Sequence, residues 1–95
     1  MTDTKKRQVV VIAKPIGSNW ARALFGTLED RTGDTVVLSQ ARQALQWGDA
    51  GGELGLAVTG PGKGCRLSPI AGRIEANGVV LLMDAEEAAV TAWRA

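Results

Sequence analysis

The stretch "RTGDTVVLS", residues 31–39, joins a turn signal to a β-branched run. Gly33 supplies the positive φ that a tight hairpin turn requires, and the valines after it favour a strand. The preceding "WARALFGTLED", residues 20–30, alternates as a half-buried strand in which Gly26 marks a bulge or a crossing point. Its spacing of Trp20, Leu24 and Leu28 also fits a helix. We favour the strand, because "RTGD" then connects two strands in a hairpin.

Working outward, "QVVVIA" at 8–13 is typical of a further strand, and "RIEANGVVLLM" at 73–83 of either a hairpin turning on Asn77-Gly78 or one long strand. Ser39 is placed to cap a short helix over 40–47, which Gly48 ends. "ELGLAV" at 53–58 fits a single helical turn. Asp84 is expected to cap the last helix, "AEEAAVTAWRA", with Ala88, Ala89, Ala92 and Trp93 on its buried face.

These elements predict an α+β fold, with a small, mainly antiparallel β-sheet of four to five strands, a short middle helix and a C-terminal helix. Residues 1–7 are polar and are expected to form a disordered tail. The remaining residues, 8–95, are expected to form one domain.

The amino-acid composition argues against several classes of function. The 95 residues carry eleven basic and ten acidic side chains, a net charge of +1, so a nucleic-acid partner is not expected. A lone cysteine, Cys65, permits no internal disulfide and fits a reducing cytosol. The apolar run near the start, "VVVIA" at residues 9–13, is too short for a signal peptide or a membrane span. The absence of histidine removes the usual general base and the commonest zinc ligand, so we expect no enzyme, cofactor or metal.

The segment "TGPGKGCR", residues 59–66, raises the question of a phosphate-binding loop. Lys63 is followed by Gly64 and Cys65 rather than by a hydroxyl residue, and Pro69 stands where a helix would have to begin. A P-loop is therefore excluded. A plain connecting loop and a looser anion contact through Lys63 and Arg66 both remain open.

Aromatic and polar residues flank two other loops. Trp20 and Trp47 are each core, interface or ligand-stacking residues on the sequence evidence, since tryptophan serves all three roles. Arg42 flanks the apolar face of the predicted middle helix, where an ion pair with Asp30, Asp34 or Glu53 competes with an anion contact. The candidate ligand-binding residues are Lys14, Ser18, Asn19, Trp20, Arg42, Trp47, Lys63 and Arg66.

The segments "VVLSQARQALQW", "GGELGLAVTG", "CRLSP" and "VVLLMDAEEAAVTAW" carry a resemblance from residue 8 onward. The chain resembles small, uncharacterised proteins of tailed phages and prophages that share an A-R-x-x-x-x-W element and an E-E-A helix. It departs from them in its longer first loop, "KPIGSNW", and at Met83, where a proline is usual. The resemblance implies a phage-type protein working in the bacterial cytoplasm and no particular activity.

We therefore expect a non-enzymatic binding protein that antagonises host immunity, either by sequestering a nucleotide-derived signal or by binding a host protein. The alternative is an oligomerising structural or assembly accessory protein of a phage. A homo-oligomer is expected in either case, because a chain this short buries a small core.

Overall fold

In a computed structural model, the described residues are 2–3, 6–14, 17, 21–46, 52–62 and 65–95. Their strands are β1 (Thr2–Asp3), β2 (Gln8–Ala13), β3 (Arg22–Thr32), β4 (Thr35–Gln46), β5 (Arg66–Leu67), β6 (Ala71–Ala76) and β7 (Val79–Asp84). Their helices are α1 (Gly52–Val58) and α2 (Glu87–Arg94). The predicted α+β class is confirmed. Five strands have six residues or more, and β1 and β5 add two residues each to the sheet.

All strand pairs in the described residues are antiparallel. β2, β3 and β4 form a meander, β7 pairs with the outer edge of β2, and β5 and β6 pair in succession with the outer edge of β4. The hairpin from β3 to β4 turns at Gly33, whose φ is +61°, between the paired residues Thr32 and Thr35. The predicted strand at 20–30 and its turn are therefore confirmed.

The sheet curls so that its two edge strands converge at one end. β6 and β7 lie at opposite edges, yet only Asn77 and Gly78 separate them in sequence. Two residues cannot cross an open five-strand sheet, because neighbouring strands are about 4.8 Å apart. The Val79 N–H donates to Asp34 O at 2.9 Å, and the Lys14 N–H donates to Gly78 O at 2.8 Å, which fixes the closure. Asn77-Gly78 thus connects two edges, and neither a hairpin nor one long strand forms there.

A bulge in β4 supports this curvature. Gln40 and Ala41 together face the single residue Gly26 of β3, and Gln40 has a φ of +52°. A Cβ atom on Gly26 would lie 3.0 Å from Ser39 O and 3.1 Å from Leu38 Cβ, so glycine permits the close crossing that its sequence position predicted.

The bulge also reverses the side-chain alternation of β4. Val36 and Leu38 point into the curled sheet, and the inward position then moves to Ala41. Ala44 lies on the opposite face, under the helices. The predicted helix at 40–47 was therefore wrong. The spacing of Ala41 and Ala44 that suggested a helix is produced by a strand changing phase, and the middle helix begins at Gly52 instead.

Two apolar clusters lie on the two faces of the sheet. The inner cluster, inside the curl, consists of Val9, Val11, Ala13, Leu24, Leu28, Val36, Leu38, Ala41 and Val79. The outer cluster, between the sheet and the two helices, consists of Val10, Ile12, Ala23, Phe25, Ala44, Leu56, Ala57, Ala89 and Trp93.

Trp93 anchors α2 in the outer cluster. It is fully buried, stacks on Phe25 with 5.5 Å between ring centroids, and donates its indole N–H to Leu56 O at 2.9 Å. Its expected role in the core is confirmed, as is that of Ala89. Ala88 is exposed and Ala92 only half-buried, so the buried stripe of α2 is narrower than predicted.

The two ends of the domain differ from expectation. The N-cap of α2 is Glu86. The predicted cap, Asp84, is instead the last residue of β7 and forms an ion pair with Arg7, with 2.5 Å between Nε and Oδ1. Thr2 and Asp3, within the expected disordered tail, pair with Thr32 and Arg31. The open edge of β3, at the end of the long β3–β4 hairpin, provides the strand with which these two residues pair.

Candidate functional site

A cleft opens at the end of the curled sheet where β2 ends and β3 begins. It has a volume of about 350 Å³, and Ala13, Arg22, Leu24, Gln43, Ile74, Glu75, Ala76 and Asn77 line it. Leu24 and Ile74 belong to or pack on the inner cluster, so the cleft is the accessible mouth of that cluster. The curl creates the cleft by bringing β6 opposite the ends of β2 and β3.

Four polar residues line the cleft: Arg22, Gln43, Glu75 and Asn77. Because Ile74 packs on the inner cluster, the neighbouring Glu75 side chain points to the other face of β6. Within the part of the chain that the structure describes, none of the four makes a side-chain hydrogen bond or an ion pair. The donors and acceptors of Arg22, Gln43 and Asn77 are therefore available to a molecule bound in the cleft. Gln43 reaches the cleft only because the bulge at Gln40 turns the odd-numbered residues of β4 inward.

A smaller cavity of about 120 Å³ continues the cleft toward β5. It shares Leu24, Gln43 and Ile74 with the cleft and adds Ala41, Arg42, Ser68 and Ala71. Ser68 fixes this wall, since its Oγ accepts the Gln43 N–H at 2.9 Å and its own N–H donates to Gln43 O at 2.9 Å. One backbone hydrogen bond and one hydroxyl hydrogen bond therefore fix Ser68 against β4.

Arg42 joins that wall to the end of α2. Its Nε donates to Ser68 O at 2.7 Å, and its Nη1 donates to Trp93 O at 2.8 Å and to Ala95 O at 2.9 Å. The last carbonyls of a helix lack partners within it, and a positive charge there is favourable. The alternative of an ion pair with Asp30 or Asp34 is not realised, and the side chain of Glu53, the third partner considered, lies outside the described part of the structure. Arg42 binds carbonyl oxygens instead of the carboxylates of Asp30 and Asp34, because it follows the bulge and its side chain points toward the helices.

The structure brings some of the sequence-predicted residues to the cleft. Lys14 is exposed and directly follows the lining residue Ala13, and Arg42 borders the smaller cavity. Arg66 is exposed on β5 and lines neither cavity. Ser18, Asn19, Trp20, Trp47 and Lys63 lie outside the described residues.

Sequence reasoning missed Arg22, Gln43, Glu75 and Asn77. A local signal existed for Arg22, because it follows the first loop and pairs with Ala13, next to Lys14, in the β2–β3 hairpin. No local signal existed for the other three, since their meeting depends on the bulge and on the closure at Asn77-Gly78.

The reactive side chains of the described residues lie elsewhere. Cys65 is half-buried against the outer cluster, and burial raises the pKa of its thiol, which makes it a poor nucleophile. Glu29, outside the cleft, accepts the Ser39 hydroxyl at 2.5 Å and pairs with Lys6 at 3.2 Å. The Ser39 hydrogen bond, followed by Lys6, lowers the pKa of this carboxyl.

The fold and the cleft define a small α+β domain in which a curled antiparallel sheet presents one polar-rimmed cavity mouth. The chain belongs to the family described as a domain of unknown function, DUF6948, whose model matches residues 7–93. No curated protein matches the chain, and no solved structure does. None of the helices among the described residues has the length and apolar character needed to cross a membrane.

Proposed function

We propose that this protein is a non-enzymatic binding protein that holds an anionic, nucleotide-sized ligand in the cleft. The observation that carries the proposal is the cleft's composition, an apolar floor with three polar side chains, Arg22, Gln43 and Asn77, that have no internal partner in the described chain. Small-molecule sites combine such a floor with a few convergent polar groups, in volumes of roughly 300–1,000 Å³.

The charges and amides favour a nucleotide-like ligand. Arg22 can grip a phosphate through two parallel N–H donors, and the exposed Lys14 adds a second cation at the same end of the cleft. Gln43 and Asn77 each offer a donor and an acceptor, which suits the edge of a base. Leu24 and Ile74 supply apolar surface for a base face.

Binding rather than catalysis is proposed because the described residues that line the cleft include a single acidic residue and no serine, threonine, cysteine or lysine. A phage protein that sequesters a host nucleotide signal would need binding alone. The phage resemblance therefore favours this role, with capture of a host protein as the competing one.

The test is calorimetric titration of the purified protein with adenosine 5′-monophosphate, ADP-ribose and cyclic di- and trinucleotides. We expect saturable binding of at least one of them and a higher melting temperature with that compound. Arg22→Gln should weaken binding about tenfold or more, in line with the 1.5–3 kcal/mol of a charged hydrogen bond. Arg31→Gln, an arginine at the β3–β4 turn, is the matched control and should bind as the wild type does.

Two results would overturn the proposal. One is the absence of heat and of any melting-temperature change with every nucleotide tested. The other is loss of binding in Arg66→Gln with Arg22→Gln unaffected, which would move the site to the glycine-rich segment at 59–66.

A further inference from the structure

The outer edge of β6 is unpaired in the described chain. β6 pairs only with β4, from Ala71 opposite Ala41 to Ala76 opposite Val36. Apart from that ladder, the backbone hydrogen bonds between described residues include none from residues 71–76. Ala71, Gly72, Arg73 and Glu75 are exposed, so no described element covers this edge. A row of free N–H and C=O groups at a sheet edge is a template for another strand.

The side chains of this edge are complementary to themselves. Arg73 and Glu75 carry opposite charges on either side of Ile74. In an antiparallel pair of two identical strands centred on Ile74, Arg73 of each strand lies opposite Glu75 of the other. Both charge pairs are then favourable, because residues directly opposite have Cβ atoms about 4.5–5.5 Å apart. We propose that a second copy of this chain adds to the sheet along β6, antiparallel, with the two-fold axis at Ile74.

The other free edge is less suited to such pairing. β7 has an irregularity opposite Ile12 and Ala13, where Val80 is the extra residue and is 65% exposed. A bulge disturbs the ladder and discourages a further strand from pairing. β6 pairs with β4 in steady register over its six residues and has no proline. Among the longer strands of the described chain, β6 therefore offers the more regular edge.

Arg73 has a weak competing partner within the chain. It pairs in register with Ser39, and its charge contributes to the lowered pKa of Glu29, after Ser39 and Lys6. It makes no ion pair or hydrogen bond with any described residue. The guanidinium therefore remains available to the partner's Glu75. One added strand pair buries little surface, so the dimer is weak and its population depends on concentration.

The test is sedimentation velocity over a concentration series of the wild type and of charge-swapped variants. The wild type should shift from monomer to dimer with concentration. Arg73→Glu and Glu75→Arg each place like charges opposite one another twice and should weaken dimerisation about tenfold or more. An equimolar mixture of these two variants restores both opposite-charge pairs as a heterodimer, and so does the double variant R73E/E75R as a homodimer.

The rescue separates pairing from misfolding, because an unfolded variant cannot be rescued by mixing. A wild type that stays monomeric at its highest soluble concentration would overturn the inference. So would single variants that dimerise like the wild type, or a mixture that gains nothing over its components. Arg73 does not line the cleft, so R73E should keep the ligand affinity of the wild type, and the test stands whether or not the cleft binds nucleotides.

Discussion

The two faces of the sheet are buried by different means. The outer face is covered by separate elements, α1 and α2, which specific contacts of Trp93 and Arg42 fix in place. No helix among the described residues covers the inner face, which is buried because bulges curl the sheet over its own valines and leucines. We therefore expect the stability of the outer face to fall most when a side chain is deleted. We expect the stability of the inner face to fall most when a methyl group is added where two backbones lie close together.

The largest effect is expected from Trp93→Ala. It removes the most voluminous fully buried side chain among the described residues, its stacking on Phe25 and its hydrogen bond to Leu56 O. Deleting a buried aromatic costs about 3–5 kcal/mol of unfolding free energy, which urea denaturation will measure. Trp93→Phe keeps much of the ring volume and should cost clearly less. A loss below about 1 kcal/mol in the alanine variant would mean that α2 is not the main cover of this face.

Arg42→Ala should lower the unfolding free energy by about 2 kcal/mol, because it leaves the carbonyls of Ser68 and Trp93 without their charged donor. Arg42→Lys should recover only part of the loss, since an ammonium lacks the fork that spans both carbonyls. Arg66→Ala, an exposed arginine on β5, is the control and should stay within about 0.5 kcal/mol.

Hydrogen exchange would show whether Arg42 acts through α2. The last-turn amides of the helix should exchange faster in Arg42→Ala, beyond what global destabilisation explains. Equal protection of those amides in wild type and variant would contradict the helix-end role.

A matched pair of glycine-to-alanine substitutions, one on β3 and one on β6, tests the inner face, since both strands pair with β4. Gly26→Ala pushes a Cβ to 3.0 Å from Ser39 O and should cost about 1–3 kcal/mol through overpacking. Gly72→Ala meets nothing within 4 Å and should be neutral or stabilising by about 0.5 kcal/mol. Equal effects in thermal unfolding would show that the crossing at Gly26 is not tight.

The smallest effect concerns acid stability. Glu29 has its pKa lowered below the ordinary 4.5, mainly by the Ser39 hydroxyl, so the carboxylate binds fewer protons in the folded state. Its contribution to stability is present above pH 4.5 and is lost as the pH falls through the lowered pKa. Ser39→Ala should lower the unfolding free energy at neutral pH, leave it nearly unchanged at the acid end of the range, and so flatten this acid-side decline.

Urea titrations between about pH 3 and pH 7 measure this difference. Glu29→Gln should remove the same part of the decline, and adding Ser39→Ala to it should change the profile no further. An unchanged profile in Ser39→Ala would mean that another group sets the pKa of Glu29.

The candidate site was only partly predictable. Lys14 and Arg42 were selected from their positions beside loops and apolar faces, and they lie next to the cleft and to its smaller extension. Gln43 could not be selected, because without the bulge at Gln40 the alternation of β4 places it on the other face. The same bulge made residues 40–47 look helical.

By itself, the sequence determined the local elements whose signals lie within a few residues of each other. The hairpin at Gly33, the strand at 8–13, the crossing at Gly26 and an apolar last helix all follow from φ preferences, β-branched runs and spacing. Only the tertiary structure decided how the sheet closes and which faces meet. The closure at Asn77-Gly78, the burial of the inner cluster and the cleft arise from contacts between residues far apart in the chain, which no local pattern encodes.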